Sequence, residues 1–319
     1  MTERYSASLP SVGLTSFLRA PVVEDFSKIE ADVAFLGVPY DGGNGWRPGT
    51  RFGPREIRNL SVRYGAWGGH SSNGYWDIKD RTRYLDGIRM VDCGDVDVAF
   101  YDWARNSKLI TSSIEAILDR GALPVIVGGD HSVSYPNVQA FSRFGPIDIV
   151  HIDAHMDWRD RIAGVTEANA MPLRRIKELP FVRNMVQIGI RDVRTTADQV
   201  RDAEAAGAII ITRDEVRDES VKAIISRFPK LGNVFVSIDI DGLDPSIAPG
   251  TGSPTPDGLL YHEVRGLLKG VAAAGNVVGF DLVEVNPMVD EGGRTCLLAS
   301  VMILEFLGAI FANRMPITK

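Results

Sequence analysis

Eight short runs along this chain are apolar almost from end to end, and they constrain the fold more tightly than any other feature of the sequence. They are Val33–Val38, Ile88–Asp92, Pro124–Gly128, Ile147–Asp153, Met185–Ile190, Ala208–Thr212, Val234–Ile240 and Val278–Val285. A strand with one wet face alternates polar and apolar residues. A strand without that alternation is covered on both faces, as in a parallel sheet flanked by helices. The intervening segments suit that arrangement. Val264, Leu267, Leu268 and Val271 fall at i, i+3, i+4 and i+7, and Leu109, Ile110, Ile114, Ile117 and Leu118 make a similar stripe ending at Gly121. No Pro/Ser-rich linker, low-complexity tract or repeat breaks the alternation. Residues 1–319 therefore read as a single three-layer α/β/α domain with a mainly parallel sheet of about eight strands. In such sheets ligands bind beyond the carboxyl ends of the strands.

Composition removes several function classes. Lys plus Arg total 35 against 41 Asp plus Glu, a net charge of −6, so neither a nucleic-acid footprint nor a polybasic membrane patch is expected. Cys93 and Cys296 are the only cysteines, too few for a disulfide scaffold or a Cys-rich zinc site, which fits a reducing cytoplasmic setting. The first 21 residues lack the continuous apolar stretch of a signal peptide. The longest apolar run, Cys296–Ala312, contains Glu305 and falls short of the roughly 20 residues that span a bilayer, so it reads as a buried helix. A small-molecule substrate is the remaining expectation.

The ends of three runs carry the chemistry. Ile147–Asp153 leads into Asp153, His155 and Asp157 at i, i+2 and i+4, a spacing that in extended chain puts all three on one face. Val234–Ile240 leads into Asp239 and Asp241, and the run from Pro124 ends in Gly128-Gly-Asp-His131. Burying these carboxylates together costs several kcal/mol per charge unless cations compensate. Four aspartates and two histidines suffice for two divalent ions if Asp153 and Asp239 bridge. Oxygen-rich ligation with one imidazole per ion suits manganese, with nickel, cobalt or iron less favoured. A two-metal centre that ionises a bridging water points to hydrolysis. His151, His262 and His70 lack comparable support and read as structural or exposed.

These motifs resemble the ureohydrolase (arginase/agmatinase) family, in its agmatinase and guanidinobutyrase-like branch. The resemblance begins at Gly37-Val-Pro-Tyr-Asp-Gly-Gly43 and the segment Arg47–Arg58. It continues through GGDHS, DAHMD, SIDIDGLDPSIAPGTGSP and Asp281-Leu-Val-Glu-Val-Asn-Pro287. It implies an arginase/deacetylase-like fold with two metal ions, one held by His131, Asp153, Asp157 and Asp239 and the other by Asp153, His155, Asp239 and Asp241. It also implies attack of metal-bridging hydroxide on a guanidinium carbon, releasing urea or a urea derivative and an amine. Glu284 would bind the guanidinium, and Asp157 would carry the proton to the leaving nitrogen. A homo-oligomer, trimer or hexamer, is implied as well.

Three positions depart from the family pattern. Asn169 stands where catalytic relatives carry a histidine, and asparagine does not titrate near neutral pH. Trp158, directly after Asp157, would narrow the mouth and stack on a planar guanidine or biguanide. Arg194 replaces an acid that contacts the substrate's amino group in arginases, which would disfavour a cationic tail. The expected substrate is therefore a guanidino acid, alkylguanidine or biguanide rather than arginine. The alternative is a catalytically weak or inactive homologue acting as a structural or regulatory subunit in a hetero-oligomer with an active partner.

Overall fold

In the computed structural model, which describes residues 10, 11, 13–67 and 73–313, every one of the eight apolar runs forms a strand. They are β1 (Val33–Val38), β4 (Met90–Asp95), β5 (Leu123–Gly128), β6 (Ile147–Ile152), β7 (Val182–Ile190), β8 (Ala208–Thr212), β9 (Asn233–Asp239) and β10 (Asn276–Val283). Together they make one sheet in the order β4-β1-β5-β10-β9-β6-β7-β8, parallel at each pairing. Strict alternation within β1 shows why its sequence is apolar throughout. Val33 and Phe35 enter the core on one face, and Ala34, Leu36 and Val38 the core on the other.

The helices cover both faces. Trp103–Asp119 buries Ile110, Ile114 and Ile117 on one side, and Tyr261–Ala274 buries Val264, Leu267, Leu268 and Val271 on the other. Each such side chain contributes roughly 1.5–3 kcal/mol through apolar burial. The long apolar run becomes helix Arg294–Asn313, whose buried residues include Cys296, Met302, Phe306 and Ile310. This helix is apolar and long enough to cross a membrane by composition, yet two-thirds of its most apolar window is buried inside the protein.

A separate antiparallel hairpin, β2 (Asn73–Asp77) and β3 (Thr82–Asp86), has no counterpart among the expected elements. Its sequence, with three Asp and two Arg in residues 73–86, lacks the apolar run of the other strands, and distant contacts dock it. Arg265 donates to Asp77 Oδ2 at 2.6 Å, Asp80 Oδ2 at 2.7 Å and Glu305 Oε2 at 3.1 Å, while Lys269 reaches Asp80 at 2.6 Å. Glu305, the charge inside the apolar helix, thus holds the Arg265 that anchors the hairpin. Arg265→Met leaves three largely buried acids without their shared cation and is expected to lower unfolding free energy by about 3 kcal/mol. A denaturant midpoint equal to that of the parent would contradict this account.

Candidate metal centre

The strand order sets β5, β10, β9 and β6 side by side, so their carboxyl ends lie along one stretch of the sheet edge. From these four ends come the candidate residues. After β5, Gly128 and Gly129 turn the chain into a short 3-10 helix, His131–Val133. Glycine is required at 129 because a Cβ would collide with the carbonyl of Tyr40. Asp130 caps that helix through Ser132 N at 2.9 Å and accepts from Gly43 N at 2.6 Å, tying the β1 loop to the site.

The expected ligands converge, by a different local geometry from that suggested by their spacing. β6 ends at Ile152, so Asp153, His155 and Asp157 lie on a bend, and Asp157 has φ +45°. β9 ends at Asp239, and Asp241 sits in the 3-10 turn Ile240–Gly242. Bending, rather than strand alternation, gathers the side chains. Glu284 follows β10 with φ +64°. A left-handed backbone at a non-glycine residue costs about 1 kcal/mol or more and persists where surrounding contacts fix it. At Glu284 those contacts include its N–H on the Gly129 carbonyl at 2.8 Å and its Oε1 on the His131 N–H at 2.9 Å.

Two pockets of ligand atoms result. His131 Nδ1 lies 2.8 Å from Asp157 Oδ2, 3.2 Å from Asp239 Oδ2 and 3.3 Å from Asp153 Oδ2. His155 Nδ1 lies 3.2 Å from Asp153 Oδ1 and 3.1 Å from Asp241 Oδ2. Asp153 belongs to both, one oxygen in each. His131 Nδ1 is fully buried yet has no hydrogen-bond partner of acceptable geometry, the condition of an imidazole nitrogen placed to coordinate a cation. The donor set of carboxylates and imidazoles fits divalent transition metals.

The electrostatics of the cluster favour bound cations. Burial, then repulsion from Asp241 and Asp153, drives the Asp239 carboxyl well above the usual range, and burial raises Asp241 to about 6. Burial and the neighbouring Asp130 push Glu284 up as well. For His131, burial opposes ionisation, but Asp153, Asp157 and Asp239 overcome it and hold the imidazolium well above its normal range. Cations at the two positions would relieve these carboxylates.

Each histidine's second nitrogen meets a partner that motif reading overlooked. His131 Nε2 is 3.1 Å from Ser237 Oγ, and His155 Nε2 is 2.8 Å from Asp192 Oδ2. Such outer contacts fix ring orientation in metal sites. Ser237 could have been found from its period-2 relation to Asp239, since both point to one side of β9. His151 is fully buried, with Nε2 at 2.8 Å from Asp153 Oδ2 and Nδ1 at 3.1 Å from Gln187 Nε2, so it supports a ligand. His262 is exposed, and His70 lies outside the described residues.

A cleft of about 280 Å³ opens over the centre, lined by His155, Asp157, Asp239, Asp241 and Glu284 at its floor residues and by Asn169, Asp192 and Arg194 among others. Asn169 thus lies on the cleft wall. Arg194 also lines the cleft, but its charge is matched: Asp192 Oδ2 accepts from Arg194 Nε at 2.6 Å. Trp158 requires correction. It is 3% exposed, packs in the core cluster with Met156 and Leu173, and is absent from the cleft wall. The left-handed turn at Asp157 keeps that aspartate on the cleft while the following indole lies inside. The aromatic side chain on the wall is Trp46, 62% exposed, with the Arg47 guanidinium 4.2 Å from its ring centre. Arg159, next to Trp158 and without a role assigned from the motifs, is half-buried in the same wall. Among the described residues its guanidinium has no acidic partner.

Comparison with known proteins gives consistent results. Residues 31–308 match the model of the arginase family. The human mitochondrial guanidino acid hydrolase is 36% identical over 307 residues, covering 94% of this chain and 83% of that protein. Guanidinobutyrase of Pseudomonas aeruginosa is 32% identical over 302 residues, covering 92% of each chain. Among solved structures, proclavaminate amidino hydrolase from Streptomyces clavuligerus superposes with a TM-score of 0.84 at 32% identity, covering 95% of this chain and 98% of that one.

Proposed function

The chain belongs to the arginase family and is a hydrolase of guanidino or amidino C–N bonds, and from that premise we propose that it cleaves a guanidino acid at a two-metal centre. The observation that carries the reading is the pair of ligand pockets sharing Asp153, one at His131, Asp157 and Asp239 and one at His155 and Asp241. Two divalent ions held there would supply Lewis acidity and a water ionised near neutral pH. Manganese suits the donor set best, with nickel as the alternative.

The chain's own residues account for the remainder. Glu284 accepts N–H bonds from the guanidinium and orients its carbon toward the ligand cluster, where paired charge-assisted bonds fix both position and angle. A C–O bond forms, the C–N bond breaks, and the water's proton passes to the leaving nitrogen so that a neutral amine departs. Asp157, on the cleft beside His131, is the proton carrier. Asn169 can donate or accept a hydrogen bond to substrate but cannot replace a titrating relay.

Arg159 supports the acid tail. A half-buried cation without an acidic partner favours a ligand that brings a carboxylate. Arg194 contributes less, because Asp192 already balances it. Arg159→Leu is expected to lower kcat/KM for guanidinobutyrate and guanidinopropionate by about 10- to 100-fold, the worth of one charge-assisted contact. Turnover of guanidine, which has no tail, should be unchanged. Release of urea, or of the urea derivative that methylguanidines and metformin would leave, across these compounds and agmatine checks this, and a preference for substrates without a carboxylate would reject the acid. A second reading, a weak or inactive subunit paired with an active homologue, is favoured only by Asn169. The intact ligand set and Glu284 weigh against it, since uncompensated buried acids are costly.

A further inference from the structure

Arg191 follows the last residue of β7, and its side chain is spent entirely on main-chain oxygens. Nε donates to Pro256 O at 3.0 Å. Nη1 donates to Gly189 O at 3.3 Å and Gly242 O at 3.1 Å. Nη2 donates to Asp241 O at 2.8 Å, Leu243 O at 3.4 Å and Thr255 O at 2.7 Å. Its backbone N–H meets Ala154 O at 3.0 Å. Among the described residues it forms no ion pair with a carboxylate. A half-buried cation without a counter-ion is costly unless dipoles solvate it, and here six carbonyls do so.

The segments it joins all belong to one half of the metal centre. Ala154 lies between Asp153 and His155. Asp241 places Oδ2 at 3.1 Å from His155 Nδ1, and Thr255 places its hydroxyl 3.5 Å from His155 Nε2. No Arg191 contact reaches the loop that carries His131. We propose that Arg191 is a positioning residue that holds the Asp241 turn and the 255–256 loop in register, so that the Asp153–His155–Asp241 position can take its ion. The rigid five-donor fork is what spans three segments, and a lysine ammonium with three donors cannot replace it. The inference rests on the two-metal reading above.

The test compares the parent, R191K and R191A by manganese titration calorimetry and by electron paramagnetic resonance of the loaded protein. The parent should bind two ions and show the signal of a coupled pair. Both variants should keep one ion at parental affinity and bind the second about 10- to 100-fold more weakly, the usual effect of an outer-contact change, giving the spectrum of isolated ions. Hydrogen exchange on the metal-free proteins supplies an independent readout. Amides of residues 241–243, 255, 257 and 258 should exchange faster in R191K, and those of residues 131–133 should not. If R191A fails to fold, R191K decides. Two ions bound at parental affinity with unchanged exchange in R191K would overturn the proposal, as would equal weakening of both ions. Fewer than two ions in the parent would instead reject the two-metal reading, leaving the exchange pattern to judge Arg191.

Discussion

Asp239→Asn is expected to reduce kcat by about 10³-fold or more while making the metal-free protein harder to unfold. The two effects share one cause. Asp239 is buried among Asp153, Asp157 and Asp241, and burial together with its acidic neighbours disfavours its ionised form. Without cations, a neutral amide of similar shape avoids the desolvation and the repulsion from Asp241 and Asp153 that the buried carboxylate meets near neutral pH. With cations, the same change removes a ligand, and with it the Lewis acid that lets water react near neutral pH, a loss of about 4 kcal/mol or more in the barrier. Thermal unfolding with chelator and with manganese separates the terms. The variant should melt above the parent in chelator and gain less from added manganese, because a ligand stabilises only in proportion to its affinity for the folded state. A metal-free variant that melts below the parent and keeps full activity would contradict the assignment.

Glu284→Gln should leave metal binding intact and reduce kcat/KM by about 10²- to 10³-fold. Glu284 is outside both ligand groups, and its Oε1 is held by the His131 N–H, so the amide can occupy the same space. The substitution removes the negative charge that would meet the guanidinium. Two charge-assisted hydrogen bonds at about 1.5–3 kcal/mol each set the scale, part of which the amide oxygen recovers. Steady-state urea release, with metal content measured on the same sample, checks the prediction. Loss of metal together with activity would make Glu284 a support of the metal loop rather than a substrate contact.

Much of this site was legible because acids and imidazoles stand directly after apolar strands, where nothing but a cation or mutual pairing can hold them. The same reasoning placed all eight strands of the main sheet, since burial on both faces leaves a nearly unbroken apolar run. It named residues that the structure gathers, but for an incomplete reason: Asp153, His155 and Asp157 converge through a bend and a left-handed residue, which period-2 alternation cannot express. Trp158 illustrates the same limit, because the turn at Asp157 decides which neighbour faces the cleft. The β2–β3 hairpin, Asp192 and Arg191 depend on partners far away in sequence. Arg265 lies 185 residues from Asp80, and Arg191 reaches carbonyls 50 to 65 residues onward. No local pattern records such distances.

Hydrolysis of the guanidino C–N bond should require two ions at this centre. The most direct test is urea release from guanidinobutyrate by chelator-stripped protein as manganese, or separately nickel, is added back in known equivalents. The stripped protein should show no turnover, and the rate should climb to a plateau at two equivalents per chain. Full activity after stripping, a plateau at one equivalent, or no urea at any loading from any of the guanidino compounds would contradict it.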